Sequence, residues 1–370
     1  EAASQQVSER LKQAIALAKS NIEKFHFSQK EEIVKVETSP GVVCWREARP
    51  IEKVGIYVPG GTAPLFSTVL MLAIPAKIAG CKEIVLCSPP GKEGAIHPAI
   101  LYAANLAGVT RIFAVGGIQA IGAMSFGTKS VPKVEKIFGP GNQYVMTAKH
   151  AAQYYGTAID MPAGPSELLV VADETCRPSF VASDLLSQAE HGPDSEVILL
   201  SDNKKVVKEI NKELDIQLAN LPRKEMAEKA LKNSRAILFK DVETCIRFSN
   251  VYAPEHLILA VENPVLRSRE VTNAGSVFLG NYSCESAGDY ASGTNHTLPT
   301  SGYAKAYSGV SLDSFIKKIT FQQLSEEGIV GIGVAVETMA EAEELFAHKN
   351  AMTLRLGEVS AQQAKNYENS

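Results

Sequence analysis

The stretch VGIYVPGGTAPLFSTVLMLAIPAKIAGCKEIVLC, Val54 to Cys87, contains one complete strand–helix–strand unit. Its ends, VGIYV (Val54–Val58) and EIVLC (Glu83–Cys87), are short and largely apolar, as buried parallel strands tend to be. Between them lies a PGG turn and then FSTVLMLAIPAKIAG (Phe66–Gly80), which reads as a buried helix. That segment is shorter than the roughly 20 residues needed to span a bilayer, is interrupted by Pro75 and carries Lys77. The unit recurs: RIFAV (Arg111–Val115) and VEKIF (Val134–Phe138) continue the series at intervals of about 25 to 30 residues, the length of a βα unit. The later turns, SPPG, GG and GPGN, again contain Gly or Pro. A second series follows, LLVVA (Leu168–Ala172), EVILL (Glu196–Leu200), AILF (Ala236–Phe239), LILAV (Leu257–Val261) and SVFLG (Ser276–Gly280). Two α/β units in tandem are the simplest architecture, with the junction near MPAGPSE (Met161–Glu167) and a helical, charged tail from Ser311 onward.

A chain of 370 residues favours two domains over one core. It is 45% apolar and 21% charged, the balance of a soluble globular protein. A net charge of -4 argues against a nucleic-acid or polyanion surface, and no apolar run is long enough for a membrane span. The chain begins at Glu1, and its opening SERLKQAIALAKSNIEKFH is an amphipathic helix that starts in mid-domain, so further natural sequence is expected before it. The six cysteines form no CxxC pair and no zinc-ribbon spacing, which fits reduced thiols in a cytoplasmic enzyme.

In open α/β sheets, ligands bind outside the carboxyl ends of the strands. The turns YVPGGTAP, GGIQAIGA and FGPGNQYV fall there, but none is a GxGxxG with a following acid and none is a P-loop. Nucleotide binding and plain turn chemistry therefore both remain open for them. Four other segments are dense in polar chemistry. In SDLLSQAEHGPDS, Gln188 and His191 stand three apart on the last turn of a helix ended by Gly192-Pro193, as a metal pair or as capping groups. In NVYAPEHLILA, Glu255 and His256 sit at a strand entrance, as a proton-transfer pair or as a surface acid beside a half-buried ring. GDYASGTNHTLPT carries Asp289 and His296 in a setting that is neither good helix nor good strand. FAHKNAMTLRL carries His348 after Glu341, Glu343 and Glu344, acids that read as a solvated face. Across these segments the Gln, the three or four His and the Asp make a plausible donor set for Zn²⁺ or Mn²⁺.

These motifs, in this order, closely resemble the histidinol dehydrogenase family from about Val54 to Leu356; only the beginning departs, since family members carry more N-terminal sequence. The resemblance implies NAD-dependent oxidation of L-histidinol through L-histidinal to L-histidine, the last two steps of histidine biosynthesis. It implies two Rossmann-like α/β domains, 1–56 with 167–310 and 57–166, and a helical tail, 311–370, exchanged in a homodimer. It further implies zinc ligands Gln188, His191, Asp289 and, from the partner subunit, His348, with Glu343 of the same tail meeting the substrate. Glu255 and His256 match the catalytic pair, Ser166 and His296 substrate contacts, and Tyr57, Gln119 and Asn142 the NAD contacts. In that scheme His256 is the general base, Glu255 activates water, and zinc orients a substrate that also touches its ligands. A zinc hydrolase using Glu255 as general base is the competing enzyme, and a two-domain binding protein with a structural metal is the non-enzymatic one. The expected location is a bacterial cytoplasm, or a plastid for a plant chain.

Overall fold

A computed structural model describes residues 2–60 and 64–368, so part of the YVPGGTAP turn lies outside the described residues. The chain divides into two compact units, Glu1–Lys30 with Pro50–Phe315, and Glu31–Arg49 with Ile316–Ser370. The first two strands, β1 (Lys35–Ser39) and β2 (Val42–Pro50), are an antiparallel pair of the smaller unit.

The larger unit holds two five-stranded sheets, and every pairing described within them is parallel. The first contains β3 (Lys53–Tyr57), β4 (Glu83–Ser88), β5 (Arg111–Ala114), β6 (Lys136–Phe138) and β7 (Ala158–Ile159), in the order β5-β4-β3-β6-β7. Winding outward from β3 in both directions leaves a switch point between β3 and β6, where open α/β sheets bind ligands. The helix Phe66–Ala79 is buried continuously from Ser67 to Ala76, as its all-apolar face requires. It packs with Ile56, Leu86 and Phe138 in one core.

The second sheet contains β8 (Glu167–Ala172), β9 (Glu196–Ser201), β10 (Arg235–Leu238), β11 (His256–Ala260) and β12 (Ser276–Leu279), ordered β10-β9-β8-β11-β12. The two sheets share one winding order although no sequence repeat relates them. The α/β class expected from Val54–Cys87 is thus the class observed, with small shifts at strand ends.

The expected domain limits divide the structure differently. A boundary at 56/57 cuts through β3, the central strand of the first sheet. The helix Glu9–Phe27, expected to belong with residues 167–310, instead buries Ile15, Ala18 and Ile22 in the core around β3 and β4. Residues 31–49 belong with the tail, because β1 and β2 form a sheet with β13 (Ile316–Leu324). The tail is therefore not helical from Ser311: a nine-residue strand precedes its helices Glu326–Ala342 and Phe346–Glu368. Within this smaller unit Trp45 stacks on Phe321 at 5.4 Å. Its two helices approach closely at Gly333, where a Cβ would come within 2.7 Å of Leu356.

Candidate active site

A pocket of the larger unit, about 190 Å³, is lined by Ser166, Gln188, His191, Glu255, His256, Asp289 and His296. The turn Gly139–Gly141 of the first sheet lines it too. The first sheet meets the pocket at its carboxyl ends, as expected. The second does so at its amino ends: Ser166 and Glu167 enter β8, and Glu255 and His256 enter β11.

One residue organises the acid–imidazole pair. The Glu167 backbone N–H donates to Glu255 Oε2 at 2.9 Å, and its carbonyl oxygen lies 3.2 Å from His256 Nδ1. The parallel register His256↔Leu168 between β11 and β8 sets this arrangement. A donating Nδ1–H leaves Nε2 as the free lone pair of the neutral ring. That Nε2 has no hydrogen-bond partner, and Asp289 Oδ1 stands 3.7 Å away. Nδ1 is also 3.6 Å from Glu255 Oε2.

Both side chains are buried, at 5% and 4% exposure, and both are electrostatically perturbed. Burial pushes the Glu255 carboxyl up to about 7, with His256 pulling the other way. Burial opposes charge on His256, but Glu255, Asp289 and Glu285 outweigh it and raise the ring to about 10. Burial likewise resists ionisation of Asp289, yet His256, His296 and His191 hold it below the usual carboxylate range. His296 is lowered by burial. Its Nδ1 is 3.0 Å from the Asp289 carbonyl oxygen and its Nε2 is 3.3 Å from Thr68 Oγ1.

Two local expectations change. Asp289 lies in a short helix, Glu285–Tyr290, made possible because Gly288 leaves room for Phe278, which a Cβ would approach to 2.7 Å. His191 lies two residues beyond the helix Pro178–Ala189, in a turn closed by its N–H donating to the Gln188 carbonyl at 3.2 Å. It sits exposed at the pocket lip, with enough protein around the ring to lower its pKa by desolvation. Gln188 is fully buried, and neither its Oε1 nor its Nε2 has a partner.

Such an orphaned amide is costly unless another group completes it. Beside His191 and Asp289 it fits a divalent cation, an oxygen donor next to nitrogen and carboxylate. Among the described residues no three His, Cys, Asp or Glu side chains form a metal-holding group, so this unit offers two such ligands plus the amide. His348, on the helix Phe346–Glu368, and Glu343, after the helix Glu326–Ala342, are exposed residues of the smaller unit.

The expected NAD contacts do not line the pocket. They stand at or beyond the carboxyl ends of three strands of the first sheet: Tyr57 ends β3, Gln119 is in the helix after β5, and Asn142 follows β6. Tyr57 Oη accepts from the Gly117 N–H at 3.1 Å, and Asn142 Oδ1 caps the next helix through Tyr144 and Val145. Tyr57 and Asn142 flank the switch point between β3 and β6, a position that fits a dinucleotide without a GxGxxG loop.

Three buried acids escaped the sequence reading. Glu285 is 1% exposed, with both oxygens unpartnered, and burial raises it to about 8. Asp184 and Glu167 are raised to about 7, each chiefly by burial. Asp184 and Glu285 each precede a candidate ligand, Gln188 and Asp289, by four residues, a helical spacing that was open to notice.

Two doubly wound parallel sheets around a buried acid–imidazole pocket define the class, a two-sheet α/β enzyme. An acetylating aldehyde dehydrogenase from Geobacillus thermoglucosidasius has a comparable fold, with a TM-score of 0.56 at 16% identity over 83% of this chain and 82% of that one. Within that class, the chain belongs to the histidinol dehydrogenase family, whose model matches residues 1–356. A histidinol dehydrogenase of Bacteroides fragilis (strain YCH46) is 62% identical over 359 residues, 97% of this chain and 84% of the relative. The crystal structure of histidinol dehydrogenase from Elizabethkingia anophelis superposes with a TM-score of 0.96 at 64% identity, over 97% of this chain and 83% of that one. The chain is accordingly an oxidoreductase of the last two steps of histidine biosynthesis. Among the described residues no helix is long and apolar enough to cross a membrane.

Proposed function

We propose that the pocket oxidises L-histidinol to L-histidine with two NAD and one water, and that the Glu255–His256 pair carries the proton transfers. The single observation behind this reading is the pair's geometry: two buried side chains held by the backbone of one residue, Glu167, with His256 Nε2 unpartnered in the pocket. Hydride leaves an alcohol carbon readily only as its hydroxyl proton leaves, so a base must stand within hydrogen-bond reach. His256 Nε2 takes that proton when the ring is neutral, the form that burial favours once charge is drawn off the neighbouring carboxylates. The aldehyde must then add water before a second hydride can go, and Glu255, poised near neutrality, takes the water's proton. Ser166 and His296 line the same pocket and orient the substrate.

When bound, NAD would supply the hydride acceptor, and a divalent zinc held by Gln188, His191, Asp289 and His348 of the partner subunit would orient the substrate's nitrogens and share the Asp289 charge that keeps His256 basic. NAD contacts at Tyr57, Gln119 and Asn142 are supported by their position at or beyond the carboxyl ends of β3, β5 and β6. A homodimer with exchanged tails, in which Glu343 also reaches the partner's substrate, is supported by the exposed apolar side chains Val330, Val334, Met339, Phe346 and Leu354 of the smaller unit. The zinc hydrolase alternative is not favoured, because the family is one of dehydrogenases.

The test is an NADH count per histidinol, combined with metal analysis. Two NADH per histidinol with one zinc per chain is the expected result. Histidinol consumption without NADH would sink the proposal.

A further inference from the structure

A buried ion pair at the carboxyl end of the first sheet has no part in the scheme above. Lys149, in the helix Gln143–Tyr154, and Asp160, just after β7, have side chains 1% and 2% exposed, with Nζ and Oδ1 2.5 Å apart. Both reach the same residue. Lys149 Nζ donates to the Gly139 carbonyl at 2.8 Å, and Asp160 Oδ2 accepts from the Gly139 N–H at 2.8 Å. Asp160 Oδ1 also accepts from the Met161 N–H at 2.8 Å. Gly139 itself has φ 118, and a Cβ there would come within 2.0 Å of the Tyr57 carbonyl oxygen. The turn leaving β6 is therefore pressed against the end of β3 and held from both sides by opposite charges.

A buried ion pair is poor value as a stabiliser, since desolvation offsets most of its Coulomb gain. Its distinctive effect is to fix geometry. The residue it fixes opens the segment Gly139–Asn142 at the β3–β6 switch point, and Gly139, Lys149 and Asp160 all line the pocket that holds His256.

We propose that Lys149 and Asp160 are positioning residues for the dinucleotide: they clamp the two peptide groups that flank the Gly139 Cα and so set the height and direction of the Gly139–Asn142 turn against the cofactor. This rests on the reading of that turn as cofactor-facing. The Lys149 ammonium supplies the donor that holds the carbonyl outward. The Asp160 carboxylate supplies the acceptor that holds the N–H, so neither backbone group is free to rotate into the pocket.

The test uses the metal-loaded full chain and the paired variant Lys149→Met/Asp160→Asn, which removes both charges and keeps an acceptor for the Gly139 N–H. The expected result is a KM for NAD raised tenfold or more, with the KM for histidinol within twofold and Tm within a few degrees of the parent. An unchanged KM for NAD in the folded variant overturns the clamp. So does a parallel loss of both KM values, kcat and Tm, which is the signature of a structural role. If the paired variant does not fold, Asp160→Asn alone is read by the same criterion, with a KM for NAD raised at least threefold. Asn142→Ser, which retains the helix cap, tests the cofactor reading separately. An unaltered KM for NAD there removes Asn142 as a contact, while the clamp still stands or falls on its own variants.

Discussion

Replacing Glu255 with glutamine keeps the side chain's shape and its acceptor for the Glu167 N–H, and removes only the ionisable proton. Its effect on stability can be worked from the structure. Burial pushes the folded carboxyl up to about 7 from the ordinary 4.5, a difference of about 3 kcal/mol at roughly 1.4 kcal/mol per tenfold change in proton affinity. The sign follows from linkage. Between pH 4.5 and about 7 the unfolded chain has ionised and the folded one has not, so the parent loses stability as pH rises and the loss then levels off. Glutamine carries no such loss. In metal-free protein the variant should therefore exceed the parent by about 1 kcal/mol at pH 5, and the gap should widen toward neutral pH, measured by urea unfolding. Activity should move the other way. Loss of a general base costs about 10²- to 10⁴-fold, and the loss should fall on histidinal oxidation more than on histidinol oxidation. Single-turnover NADH formation from each substrate separates the two. Equal losses in both half-reactions would refute water activation by Glu255. A stability gap that does not grow with pH would refute the desolvated carboxyl.

His256→Asn should lower turnover by about 10²-fold or more while leaving zinc content unchanged; a metal-free product would make His256 a ligand instead. Gln188→Leu removes two unsatisfied buried polar atoms, each worth about 1 to 3 kcal/mol. The apoprotein should gain roughly 2 kcal/mol and lose the rise in Tm that added zinc gives the parent. A retained zinc response would take Gln188 out of the ligand set. Mixing an inactive His348→Ala chain with an inactive His191→Ala chain should restore activity in heterodimers, since one site then has all its ligands. No recovery would refute a site shared between subunits.

Much of this was readable one segment at a time. The strands of both sheets appear as apolar runs at βα spacing, because a parallel strand buried on both faces must be apolar along its length. Gln188, His191, Glu255, His256, Asp289 and His296 were visible as polar groups in turn-rich settings, and they do share one pocket. What was not readable is how distant segments pair. Nothing local to VVCWREARP announces a partner in IKKITFQQL, more than 260 residues away, because register is a long-range property. Nor did the sequence separate the helix Glu9–Phe27 from the second sheet's domain, since an amphipathic face does not name the core it covers.

The sequence by itself determined the α/β class, the polar motifs and the residue types able to move protons or hold a cation. Only the tertiary structure decided that β8 and β11 bring their amino ends to the site, so that the backbone of one residue, Glu167, orients both Glu255 and His256. It alone joined Lys149 to Asp160 around Gly139, and buried Glu285 without a partner. The reason is physical. Residue type sets what a group can do, whereas its pKa, its free lone pair and its direction depend on neighbours that the chain supplies from far along its length.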